Sequence, residues 1–108
     1  MEQRTKAVIY ARVSSEEQGD KYSIPAQLDL LRTYAKNNCF EIVKEFTESE
    51  SAKQSGRTQF NLMVKYLKTH NNIKTILVEK TDRLYRNFTD YVNFDIEKND
   101  YYVHLVKE

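Results

Sequence analysis

The sequence predicts an α/β domain: a mostly parallel β-sheet with helices on both faces. Two observations carry this. Short apolar runs rich in β-branched residues alternate with segments whose apolar residues recur at helical spacing, in the order β-α-β-α-β-α-β. That alternation calls for parallel strands joined by right-handed crossovers, which place helices on the faces of the sheet. In addition, 108 residues with 40% hydrophobic content suit a single domain, 1–108, with a modest core.

The first strand is "AVIYARV", Ala7 to Val13. It is short, apolar and β-branched, as a buried strand is. "EEQGDKY" follows as a polar loop. Ser23 is placed to cap a helix, and Pro25 falls in its first turn, where a missing N–H costs nothing. Ile24, Leu28, Leu31 and Ala35 then share one helical face, and "KNN" stops the helix. Cys39, at the junction that follows, reads as a buried small hydrophobe.

"FEIVKEF", Phe40 to Phe46, alternates apolar and charged residues and reads as a second strand nearer an edge. "TESESAKQSGR" reads as a polar loop, and within it "ESES", Glu48 to Ser51, as a solvated stretch. Loops of that length are often functional or mobile, and Thr47 to Gly56 is the expected mobile element. Phe60, Met63, Val64 and Leu67 mark a second helix closed by "HNN". "IKTILVE" is a third strand. Phe88, Tyr91, Val92 and Ile96 mark a third helix, and "ND" turns into a fourth strand, "YYVHLV". No turn or cap follows that strand, so the chain is expected to be a piece of a longer protein.

The totals narrow the function. Net charge is +1, from 17 basic and 16 acidic residues, so any anion site must be local. A single cysteine excludes an internal disulfide and suits a reducing compartment. No apolar run is long enough to span a membrane, and "MEQRTK" lacks a signal core. A cytoplasmic protein is expected. There is no phosphate-cradling glycine motif, and one cysteine with two distant histidines makes no metal ligand set, so neither cofactor nor metal is expected.

In a parallel sheet, ligands gather at the carboxyl ends of the strands. Arg12 and Ser14 sit there on strand one, two residues apart and so on one face of an extended chain, a face that Tyr10 shares. Arg57 ends the long loop after strand two. "KTDRLYR" follows strand three, bringing Asp82, Arg83 and Arg86. Four of the chain's six arginines thus reach one rim. Guanidinium groups grip phosphate oxygens bidentately, so arginines around a hydroxyl point to phosphoryl chemistry. Each residue alone also has a plainer reading. Arg12 can pair with Glu16 or Glu17 at a strand end. Asp82 with Arg83 and Arg86 can be a helix-start charge set, and Ser14 and Ser15 can be turn formers. Those readings do not explain why all share one rim.

"YARVSSEEQ", "SIPAQLDLL", "SGRTQF" and "EKTDRLYRN", in this order, resemble the catalytic domain of serine recombinases: resolvases, invertases and large serine integrases. "SIPAQ" and "SSEEQ" look closest to the large integrase and transposon branch. The resemblance covers nearly the whole chain. It implies a resolvase-like fold and a DNA strand transferase whose DNA-binding region lies outside this piece. It implies that Ser14 is the nucleophile and that Arg12, Arg57, Arg83 and Arg86, with Asp82, serve the scissile phosphate. Gln18 and Gln27 match supporting glutamines, and Ser51 a serine of the mobile loop. Tyr85 and Ala52 depart from the smaller residues common in the family.

The resemblance further implies a 5′-phosphoserine intermediate, no metal, and a homodimer or tetramer as the working assembly. The isolated piece is expected to be inactive. A neighbouring histidine is not required, because fixed cations both stabilise the developing charge and ease deprotonation of the hydroxyl. His70, at a helix end, and His104, within a strand, read as structural or solvent-facing. Asp82, Arg83 and Arg86 all remain open as the group that assists the leaving 3′ oxygen. Two other readings stand beside this one. A receiver-like regulatory domain would want paired acids at the tip of strand one, where this chain has Arg and Ser. An inactive recombinase remnant serving in assembly would not need Ser14 and all four rim arginines.

Overall fold

The structure, a computed structural model, describes residues 4–14, 23–50, 58–80 and 101–107. Its elements in chain order are β1 (Thr5–Ser14), α1 (Ile24–Asn37), β2 (Phe40–Glu50), α2 (Thr58–Thr69), β3 (Thr75–Val78) and β4 (Tyr102–Leu105). The helix expected around Phe88 to Ile96 lies outside the described residues. The strands form one sheet in the order β2-β1-β3-β4, and every pairing is parallel. The α/β class and the edge position of β2 are as the sequence predicts.

From β1 the chain steps to β2 on one side and then back across to β3 on the other. Crossovers of the same hand in opposite directions must leave their helices on opposite faces. The core shows this. Leu31 and Ala35 of α1 pack with Ala7, Ile9 and Leu77 on one face. Phe60, Met63 and Leu67 of α2 pack with Val8, Tyr10, Phe46, Ile76 and Val78 on the other. Strand alternation in β1 therefore sorts odd positions towards α1 and even positions towards α2, and both faces are covered. Each large aliphatic side chain so buried contributes roughly 1.5–3 kcal/mol.

Helix α1 begins and ends as its sequence dictates. Ser23 is the N-cap, with its Oγ accepting from the Ala26 N–H at 3.2 Å, and Pro25 sits in the first turn. The Asn38 N–H donates back to Tyr34 and Ala35, and the Asn38 side chain donates to the Tyr34 carbonyl at 2.9 Å. Cys39 then takes a left-handed conformation, φ 61°, and is exposed. The expectation of a buried cysteine is thus corrected. The chain must reverse from helix to strand here, and Cys39 holds the bend where glycine usually does, with its side chain outward.

Strand β2 is also longer than expected. Thr47 to Glu50, assigned from sequence to a mobile loop, continue the ladder with β1, pairing Ala11 to Ser14 in register. The register slips once, between Ala7 and Val8, leaving Val43 as the extra residue of a bulge. After it, Lys44, Phe46 and Glu48 oppose Val8, Tyr10 and Arg12. Glu48 is consequently buried rather than solvated.

Candidate active site

The order of the strands reverses direction between β1 and β3, so the crevice beyond their carboxyl ends is where a ligand is expected. Strand β1 outruns β3 at this end. β3 pairs with β1 only from Ala7 to Ile9, whereas β2 follows it to Ser14. The extension carries Arg12 and Ser14.

Arg12 is buried, 9% exposed, and its main chain is held by α1. The Arg12 N–H donates to Gln27 Oε1 at 3.1 Å, and Gln27 Nε2 donates to the Arg12 carbonyl at 2.9 Å. Gln27 itself is fully buried. One side-chain amide thereby replaces the missing stretch of strand and satisfies both polar groups of Arg12. Arg12 is therefore not a solvated surface charge.

Tyr10, two residues earlier, is fully buried. Its ring meets Phe60 edge-on, with centroids 5.7 Å apart at 79°. Its hydroxyl donates to Glu48 Oε1 at 2.6 Å. The same carboxylate accepts the N–H of Gln59 at 3.1 Å and of Phe60 at 3.3 Å, in the first turn of α2. Glu48 therefore caps a helix with which it is not contiguous, and it matches the positive end of that helix. Sequence reasoning missed Glu48. Its signal was phase: it stands two residues after Phe46 in an extended strand, on the buried side.

At the tip of β3, Glu79 is buried, with Lys107 Nζ 3.6 Å away, and the Lys107 N–H donates to the Glu79 carbonyl at 2.9 Å. The histidines are placed elsewhere. His70 follows α2 and stacks on Tyr66 at 4.0 Å. His104, in β4, packs 5.0 Å from Phe40, with Nδ1 3.2 Å from the Tyr34 hydroxyl. Of "YYVHLV", Tyr101 packs on the α2-side core, which raises its phenol above the usual value by burial, while Tyr102 is exposed.

The structure thus brings Tyr10, Arg12 and Gln27 together at the end of β1, with the Ser14 backbone paired to Glu50. Gln18, Ser51, Arg57, Asp82, Arg83 and Arg86 lie outside the described residues.

The family profile described as "Resolvase, N terminal domain" matches residues 7–108. Three solved structures are similar over most of the chain. A resolvase family site-specific recombinase from Streptococcus pneumoniae is 34% identical with a TM-score of 0.74, covering 93% of this chain and 69% of that one. The N-terminal catalytic domain of TP901-1 integrase is 28% identical with a TM-score of 0.73, covering 93% and 76%. The C-terminal catalytic domain of ISC1926 TnpA, an IS607-like serine recombinase, is 26% identical with a TM-score of 0.74, covering 94% and 67%. No curated protein matches the sequence. Among the described residues, no helix is long and apolar enough to cross a membrane.

Proposed function

This chain belongs to the resolvase N-terminal domain family, and we propose that Ser14 is the nucleophile with which it cleaves and rejoins DNA. It is a serine site-specific recombinase catalytic domain of the kind found in integrases and transposon proteins. DNA is its substrate. Residues 1–108 act as one catalytic unit.

In the proposed step, Ser14 Oγ forms a bond to the scissile phosphorus and loses its proton. The bond from phosphorus to the 3′ oxygen breaks, and that oxygen takes up a proton. The product is a 5′-phosphoserine with a free 3′ hydroxyl. Attack by a 3′ hydroxyl in the reverse direction restores the phosphodiester and the serine, so rejoining needs no nucleotide cofactor. Arg12, Arg57, Arg83 and Arg86 neutralise the charge that builds on the non-bridging oxygens. Fixed donors of this type can contribute several kcal/mol to the barrier. Asp82, Arg83 or Arg86 assists the leaving oxygen. Tyr10, Gln18, Gln27 and Ser51 support the site. A dimer or tetramer brings two DNA sites together, and the isolated chain is inactive without it.

The observation that carries the reading is the treatment of Arg12. Arg12 is buried at the carboxyl end of β1, where a ligand of a parallel sheet is expected. Here the main chain beneath it is pinned by Gln27, two residues from Ser14. Ser14→Ala in the intact protein is expected to bind its recombination site yet form no covalent link. An adduct trapped from that variant at wild-type yield overturns the assignment and moves it to Ser15.

A further inference from the structure

We propose that the groove between α2 and the outermost strand β2 is a docking site for a short acidic peptide of a partner protein, anchored by an aliphatic side chain. None of the residues assigned above to DNA cleavage lines it.

The groove encloses about 410 Å³. Phe46 and Tyr66 meet edge-on at its floor, with ring centroids 5.8 Å apart, and Leu62, 47% exposed, stands at its rim. A single exposed leucine is ordinary on a protein surface. Leu62, however, is continuous with two aromatic rings, around a volume large enough to take ligand groups. Leu62 and Tyr66 share one stripe of α2, beside the Phe60, Met63 and Leu67 stripe that faces the core. Gln59 and Thr69 mark the ends of the groove. It therefore runs about 15 Å along the helix, the span of about five residues of extended chain.

Charge selects the occupant. The groove is lined by Lys44 and Lys65 and by no acidic residue, and α2 carries no acidic residue at all. Lys44 Nζ stands 5.7 Å from the centroid of Phe46 and 5.6 Å from that of Tyr66, so this cation is held over the aromatic floor. Among the described residues neither lysine pairs with a carboxylate, and Glu45, next to Lys44, is taken by Arg32. Cations beside an apolar floor complement carboxylates beside an aliphatic side chain. Duplex DNA would satisfy the lysines but offers no apolar group to Leu62. His70 already stacks on Tyr66 at 4.0 Å, where an unpaired base would otherwise lie. An acidic peptide with an aliphatic anchor satisfies both the lysines and the floor.

The test titrates the intact protein against a fluorescein-labelled peptide of about eight residues, glutamates with two leucines, followed by fluorescence polarisation. Saturable binding is expected. Lys44→Glu combined with Lys65→Glu is expected to weaken it at least tenfold, and Leu62→Ser about fivefold. All three side chains are exposed, so the variants keep the wild-type circular dichroism spectrum and the wild-type rate of covalent adduct formation on DNA. Peptides with serine in place of leucine, or lysine in place of glutamate, are expected to bind at least tenfold more weakly. No saturable binding up to about 1 mM peptide, or binding that the variants retain, overturns the proposal. Light scattering and titration of an unrelated duplex test the other occupants. Self-association lost in Leu62→Ser assigns the groove to a second copy of this chain. Duplex affinity lost in the lysine variant, with the peptide unbound, assigns it to DNA. Either result also overturns the proposal.

Discussion

Gln27 and Arg12 face each other with reciprocal hydrogen bonds, amide side chain to main chain, at 3.1 and 2.9 Å. β1 has outrun its partner β3 at this point, so without Gln27 the Arg12 N–H and carbonyl would be buried and unpaired. The bonds keep the end of β1 extended where the strand could otherwise curl. Gln27→Leu is expected to cost about 1–3 kcal/mol for each orphaned group, measured by urea unfolding. An unfolding midpoint equal to that of the unmodified chain would show that the extension of β1 does not depend on Gln27.

Cys39 supplies a second expectation. A non-glycine residue at φ 61° is under steric strain from its Cβ. Cys39→Gly relieves the strain while adding some freedom to the unfolded chain. The net is a stabilisation of about 0.5–1 kcal/mol, visible as a rise in Tm of a few degrees. A fall in Tm would mean that the exposed side chain contributes more than its backbone costs.

These two cases mark where the sequence was legible. The helical stripe of Leu31 and Ala35, the Ser23 cap and the Asn38 stop follow from local periodicity and capping chemistry, and the structure keeps them. Polar composition misled at Thr47 to Glu50. Four polar residues look like loop, but the β1 ladder continues beside them, and a long-range pairing leaves no trace in local composition. Glu48 is the sharpest case. Its neighbours suggest solvent, while its burial depends on Tyr10 and α2, both remote in sequence. Cys39 was misplaced for the opposite reason. Its apolar character points inward, but the turn geometry overrides it.

The salt link between Arg32 of α1 and Glu45 of β2 predicts a pH dependence. Two bonds, at 2.6 and 2.7 Å, join them on the surface. The hydrogen bond and charge of Arg32 hold the Glu45 carboxyl below its usual value of 4.5. A lowered acid contributes stability that is present above the unfolded value and lost as pH falls through the folded one. Both groups are solvent-accessible, so the effect is small and screened by salt. The stability gap between the unmodified chain and Arg32→Gln should be constant from neutral pH to about 4.5, shrink below it, and vanish at lower pH. A gap that widens on acidification would contradict the assignment.

DNA binding by the 108 residues alone should be weak, salt-sensitive and indifferent to sequence. Net charge is +1, so little counterion release is available to drive it. A gel-shift assay against unrelated duplexes of equal length checks this. Tight, sequence-dependent retention would show that the chain carries its own readout of bases.

The central claim concerns distances around one hydroxyl. A structure of the intact protein covalently joined to DNA measures them directly. The account predicts Ser14 Oγ bonded to the 5′ phosphate, with the guanidinium groups of Arg12, Arg83 and Arg86 within hydrogen-bond reach of its oxygens. A phosphate attached elsewhere, or those arginines turned away from it, would contradict the account.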